Sequence, residues 1–227
     1  MENVRSDYRD APFADRTLAD IATTLPGATA VFRSEKLDFC CGGGARLRDA
    51  TAAKRSNLGV VVAKLESLAA IASPAAAAPS VDALITLIET RYHQAHRREL
   101  PELIRLARRV EAVHRGVASA PIGLADRLAQ VVAELEIHME KEEQFLFPLM
   151  RQGGHPTIGR PIGRMMAEHD DHGAHLHAIE ALTNDFTPPG EACTTWRALY
   201  VGTRKFADDL VEHIHIENNQ LFPQFIA

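Results

Sequence analysis

The sequence predicts an all-α protein, an up-down-up-down four-helix bundle preceded by a small helical domain. Three observations predict it. One stretch occurs twice, since His138-Met-Glu-Lys-Glu142 leads into Leu146-Phe147-Pro148 and His213-Ile-His-Ile-Glu217 leads into Leu221-Phe222-Pro223. Each copy has a further histidine upstream, His93 lying 45 residues before His138 and His169 lying 44 before His213, so the chain reads as two equivalent helix pairs. Four long runs also carry apolar residues at three- and four-residue spacing, the period of an amphipathic helix. Aromatics are only 6% of the chain against 46% hydrophobic residues overall, a balance that suits closely packed helices better than β-sandwiches.

In chain order, residues 16–71 read as short helical pieces: Thr17 to Leu25, a restart at Pro26 to about Ser34, one from about Ala45, and one after Asn57. Pro26 fits a first helical turn, where its missing N–H costs nothing. Ala72-Ser-Pro-Ala-Ala-Ala-Ala-Pro-Ser80 holds two prolines and no bulky side chain, so it reads as a linker. The boundary falls there, giving a small N-terminal domain over 1–75 and a bundle over 80–227. The bundle runs span roughly 81–117, 123–151, 161–185 and 191–223, with turns at Pro121 and Gly123, Gly153 to Pro156, and Pro188 to Gly190. Such short connections give antiparallel neighbours. Pro101 is expected to kink the first run, and Pro148 and Pro223 to end or bend the second and fourth at matching points.

Residues four apart share a helix face, so each His-x-x-x-Glu projects an imidazole and a carboxylate in one direction. A lone pair of this kind is usually a solvated face. Duplication with matched flanks is not explained that way, and four imidazoles with two carboxylates suit two metal ions in a bundle core. Both copies carry His-x-x-His, so spacing alone serves His96 as well as His93, and His172 as well as His169. His114, His155, His175, His177 and His215 have no counterpart and default to the surface or to supporting positions. Imidazole and carboxylate together favour iron over structural zinc, which prefers tetrahedral, often thiolate-rich sites. Bridging by Glu142 and Glu217 leaves room for an oxo or hydroxo bridge and one exchangeable position. Glu140, Lys141 and Glu143 read as solvating their helix, while Glu168, Asp170 and Asp171 flank His169 and are placed to orient an imidazole.

Cys40 and Cys41 precede Gly42-Gly43-Gly44, with a helix expected from about Ala45. A helix start lowers thiol pKa, which makes the pair candidate reactive thiols; two small buried residues at a tight turn fit the same sequence. Cys193 reads as a buried structural residue. The vicinal pair is a poor disulfide framework and points to a reducing compartment. A net charge of -5 without a basic run gives no footprint for nucleic acid, and neither a signal peptide nor a membrane-spanning stretch is legible, so a cytoplasmic location is expected.

Taken together, Asp38-Phe-Cys-Cys-Gly-Gly43, Arg91-Tyr-His93, Leu100-Pro-Glu-Leu-Ile104, Val110-Glu-Ala-Val-His114, His138 to Pro148, Glu168-His-Asp170, Pro188 to Trp196 and His213 to Pro223 resemble the Repair of Iron Centres family. Those are di-iron proteins with a hemerythrin-like bundle, and the resemblance covers nearly the whole chain. It implies two iron ions held by His93, His138, Glu142, His169, His213 and Glu217, the first member of each His-x-x-His being the ligand. It further implies a cytoplasmic protein that repairs iron–sulfur clusters damaged by nitrosative or oxidative stress, with damaged iron–sulfur proteins as partners. Nitric oxide reduction and iron donation are both implied as mechanisms. The competing class is a hemerythrin-like carrier or sensor of oxygen or nitric oxide, for which the Cys40-Cys41 domain has no use.

Overall fold

The computed structural model describes residues 12–72 and 78–226. Most of the alanine-rich stretch expected as a linker, 73–77, lies outside the described residues, as does the N-terminal segment up to Ala11. The chain divides into two compact units, Met1–Pro79 with Ile214–Gln220, and Ser80–His213 with Leu221–Ala227. Among the described residues every extended element is helical, in agreement with the expected class.

In the first unit a 3-10 turn, Phe13–Asp15, precedes α1 (Leu18–Thr24), α2 (Ala28–Ser34), α3 (Leu47–Lys54) and α4 (Leu58–Ile71). The Thr17 side chain accepts the Asp20 N–H at 3.2 Å and the Asn57 side chain accepts the Val60 N–H at 3.2 Å, so α1 and α4 start on side-chain caps. Two expected starts are corrected. α2 begins after Gly27, whose φ of +86° only glycine adopts cheaply, rather than at Pro26. α3 begins at Leu47, with Arg46 extended and tied to Thr17 in an isolated antiparallel bridge, so Ala45 and Arg46 are not helical. Leu18, Ile21, Phe32, Phe39, Leu47, Val61 and Leu65 form the core, each worth about 1.5–3 kcal/mol when fully buried. Units of about 60 residues are marginal on such cores alone. The segment 214–220 adds to it: the His215 ring packs edge-on against Phe39 with centroids 5.3 Å apart, and the Asn218 and Asn219 amides donate to backbone carbonyls of Phe39 and Cys40.

In the second unit α5 (Val81–Leu87) runs through a π-helical turn, Ile88–His93, into α6 (Gln94–Val113). Then α7 (Leu124–Lys141) passes through a second π turn, Glu142–Leu146, into α8 (Phe147–Arg151); α9 (Gly159–Leu182) follows. Finally α10 (Thr194–Ile216) meets a third π turn, Glu217–Leu221, and a 3-10 turn, Phe222–Gln224. Side-chain pairs show each neighbour to be antiparallel. Arg91 bonds Asp209 while Glu99 bonds Lys205, linking the first rod to the fourth; Glu111 reaches the Ala125 N–H while Arg97 reaches Glu143, linking the first to the second. Glu134 bonds His175 while His138 bonds Glu168, and Asp185 lies by Arg204 while His169 stacks on Phe222. This is the up-down-up-down order the short loops predict.

α6 runs on through Pro101, and the π turn of this rod lies earlier, at 88–93. Pro148 and Pro223 do fall at matching points, each in the first turn after a π turn. A proline ring clashes with the carbonyl four residues back, here Gln144 or Asn219, and both carbonyls lie inside the widened turns. α9 ends at Leu182, short of the expected 185, because Asn184, Asp185 and Phe186 all take left-handed φ near +50°.

Candidate metal centre

Three of the four rods carry a π turn, and each holds a candidate ligand: His93 closes the first, Glu142 opens the second and Glu217 opens the third. A π turn inserts an extra residue into a helix and turns consecutive side chains toward one face, which is why such turns gather at functional sites. The third rod, with His169, is regular α-helix.

Two sets of ligand atoms converge, each with all atoms within 4.8 Å of one another: His93, Glu142, His213 and Glu217, and His138, Glu142, His169 and Glu217. Both carboxylates belong to both sets. All six side chains are 0–1% exposed. Glu142 divides itself between the sets, with Oε2 3.5 Å from His93 Nε2 and Oε1 3.4 Å from His138 Nε2. Within each set two imidazoles bring Nε2 atoms together at 3.1 Å, His93 to His213 and His138 to His169. Cis ligands of a six-coordinate ion with bonds of about 2.1 Å stand about 3 Å apart, so these pairs already span adjacent positions on one ion. The donor set fits a pair of borderline divalent or trivalent ions bridged by two carboxylates.

Two further carboxylates set the imidazoles. His93 Nδ1 lies 2.7 Å from Glu143 Oε1, and His138 Nδ1 lies 3.0 Å from Glu168 Oε2. An Nδ1–H donated to a carboxylate fixes the tautomer that leaves the Nε2 lone pair facing the cluster. Arg97 holds Glu143 through both guanidinium nitrogens, at 2.7 and 3.1 Å, and Lys141 and Arg164 hold Glu168, each at 2.7 Å. Hydrogen bonds from His93 and then Arg97 bring Glu143 down to about 2, against the upward push of burial. Burial likewise pushes Glu168 up, but bonds from Lys141, Arg164 and His138 outweigh it and bring it to about 2. Both therefore stay ionised as acceptors. Converting Glu143 to Gln or Glu168 to Gln is expected to weaken binding of the adjacent ion by roughly 10–100-fold, measured by competition with a chelator, with little change in fold.

Several sequence expectations thus need amending. Glu143 does not solvate its helix but orients His93. Glu168 orients an imidazole as expected, yet it serves His138 across the helix pair and not its neighbour His169. Of the surface and supporting positions open to His215, the structure gives it a supporting one, 2% exposed in a run from His213 to Asn218 that is buried on every side. His96 and His172 are buried beside the cluster but outside both sets: His96 packs edge-on to Phe206 at 5.5 Å and His172 edge-on to His138 at 5.0 Å. Of the others, His175 bonds Glu134 and Arg127, His114 lies 3.3 Å from the Cys193 thiol, and His155 and His177 are exposed. Cys193 is itself exposed, not buried, just ahead of α10.

In the first unit the thiols of Cys40 and Cys41 stand 3.8 Å apart, and Cys40 points at Asp38 Oδ1, 3.4 Å away. The expected activation by a helix start does not occur, because α3 begins only at Leu47. A hydrogen bond with Cys41, burial and the nearby Asp38 carboxylate instead hold the Cys40 thiol well above the usual thiol range.

Comparison with known proteins fits both units. Residues 85–225 match the hemerythrin HHE cation binding domain, and residues 14–69 match ScdA_N, a domain of unknown function. The chain is 46% identical over 214 residues to the iron-sulfur cluster repair protein YtfE of Dickeya chrysanthemi, covering 93% of this chain and 97% of that one. It is 45% identical over 223 residues to YtfE of Escherichia coli, covering 97% and 98%. The chain belongs to the iron–sulfur cluster repair protein family. Membership agrees with the resemblance read from the motifs, and it extends to the Cys40-Cys41 unit as well as the bundle. No described helix of this family member is long and apolar enough to cross a membrane.

Proposed function

We propose that this chain repairs iron–sulfur clusters damaged by nitrosative or oxidative stress, using two iron ions held by His93, His138, Glu142, His169, His213 and Glu217. The observation that carries the reading is the pair of four-residue sets that share both carboxylates, in a chain of this family. Bound there, a pair of iron ions supplies redox chemistry and open positions for small molecules such as nitric oxide or oxygen. The chain's own residues do the rest. Glu142 and Glu217 would hold the ions, Glu143 and Glu168 fix the tautomers of His93 and His138 that present Nε2 to the cluster, and the buried walls exclude bulk water.

On this reading the N-terminal domain, 1–75, brings the thiols of Cys40 and Cys41, and the bundle, 80–227, brings the ions. Damaged iron–sulfur proteins are the partners, met in a reducing cytoplasm. Of the two mechanisms, nitric oxide reduction at retained iron is favoured over donation, because all four rods contribute ligands and withdrawing the ions removes their cross-links. The test is anaerobic: the reduced protein is given nitric oxide and a thiol reductant, and nitrous oxide is measured beside iron retained. Nitrous oxide with both irons kept is expected. Stoichiometric iron transfer to an apo iron–sulfur protein without nitrous oxide would replace reduction by donation, and reversible gas binding with neither would make the protein a carrier.

A further inference from the structure

A second cluster of metal-ligating groups lies in the first unit, apart from the six ligands above. Asp38, Cys40 and Cys41 bring a carboxylate oxygen and two sulfurs within 4.8 Å of one another. Their spacing has a specific meaning. A tetrahedral ion with metal–sulfur bonds of about 2.3 Å sets two sulfurs about 3.8 Å apart, and one with a metal–oxygen bond of about 2.0 Å sets oxygen and sulfur about 3.5 Å apart. The observed separations are 3.8 Å between the two sulfurs and 3.4 Å from Cys40 Sγ to Asp38 Oδ1.

The loop is also built to hold that arrangement. A Cβ on Gly42 would come within 2.9 Å of the Asp38 carbonyl and 3.0 Å of Asp38 Oδ2, so only glycine lets the carboxylate fold back over the thiols. A Cβ on Gly43 would come within 2.7 Å of the Phe39 carbonyl and 2.9 Å of Asn219 Oδ1. The Cys41 N–H donates to Asp38 Oδ1 at 3.0 Å, and the Cys40 carbonyl accepts from Asn218 and Asn219 at 3.1 and 3.2 Å. Both the carboxylate and the backbone between the sulfurs are therefore fixed before any ion arrives. Cys40 is 9% exposed, whereas Cys41 is half-buried and Asp38 exposed, so the fourth tetrahedral position faces outward.

We infer that Asp38, Cys40 and Cys41 form a three-ligand site for a borderline divalent cation of the zinc, cobalt or ferrous class, with its fourth position left to an exchangeable ligand. The ion binds both thiol sulfurs as thiolates and releases two protons, one from each thiol, with no change of oxidation state. Three protein ligands and an open position are the arrangement of exchangeable rather than closed structural sites. This inference does not depend on what the bundle does.

The test uses the reduced full-length protein with its bundle iron-loaded, titrated anaerobically with Co²⁺. The bundle set has no sulfur, and Cys193→Ser removes the one other thiol, so sulfur-to-cobalt charge-transfer absorption that survives that change reports this site. One Co²⁺ per chain, that absorption and the release of two protons are expected. Cys41→Ser and the double variant Cys40→Ser, Cys41→Ser should abolish the absorption while keeping both irons, Asp38→Asn should weaken binding at least about tenfold, and Cys193→Ser should change nothing. Absence of the absorption in the wild type overturns the inference, whether the thiols titrate as free or have paired as a vicinal disulfide. So does absorption that survives the double variant.

Discussion

The Glu142→Leu protein is expected to come out of purification with neither ion, and Glu217→Leu with the same loss, because each carboxylate belongs to both ligand sets. Loss of an ordinary terminal ligand would spare the other ion; loss of a bridge spares neither. Metal content per chain checks this directly, and two ions retained in either variant removes that glutamate from the centre. Stability should move in a less obvious way. At ion concentrations about a thousandfold over the dissociation constant, binding contributes about 4 kcal/mol to the folded state. For a chain of 227 residues that corresponds to about 8–16 °C in melting temperature. Chelation should therefore lower the wild-type melting point by that much and leave Glu142→Leu unchanged.

What the sequence made legible followed from its repetition. His138 with Glu142 and His213 with Glu217 were readable because the same spacing recurs with Leu-Phe-Pro behind it, and the structure brings all four to one cluster. Where the copies differ, the reading was blind. The position after each shared glutamate, Glu142 or Glu217, is Glu143 in one copy and Asn218 in the other. Glu143 turns inward to His93, and Asn218 turns to the Cys40 carbonyl, so one position serves two unrelated tasks and no repeat could signal either. A regular helix would also have pointed residue 143 about 100° away from residue 142. The π turn narrows that angle, and a proline that signals an end or a bend in the sequence does not by itself signal the widened turn ahead of it. The Cys40 environment was misjudged for a related reason: three glycines look like a helix start, but here they let Asp38 and Asn219 approach the backbone.

The last expected result concerns the histidine pairs that spacing left open. His93→Ala and His169→Ala should each lose at least one ion, while His96→Leu and His172→Leu should keep two. His93 and His169 present Nε2 to a partner imidazole at 3.1 Å inside the ligand sets. His96 and His172 show ring faces and edges to Phe206 and His138 instead, at ring distances of 5.5 and 5.0 Å. Burial, and then the neighbouring His213 and His93, keep His96 well below the usual histidine range; burial and then His138 bring His172 to about 3. Both are therefore neutral at neutral pH, and neither places a positive charge beside the ions. Leucine fills a similar volume without nitrogen atoms to desolvate, so these two variants should melt no lower than the wild type. Iron content with thermal melts of all four proteins checks both halves of the expectation. If the His96 and His172 variants are the iron-poor ones, the ligand sets are wrong at those two helices, and the bridging role of Glu142 has to be re-derived around the second member of each pair.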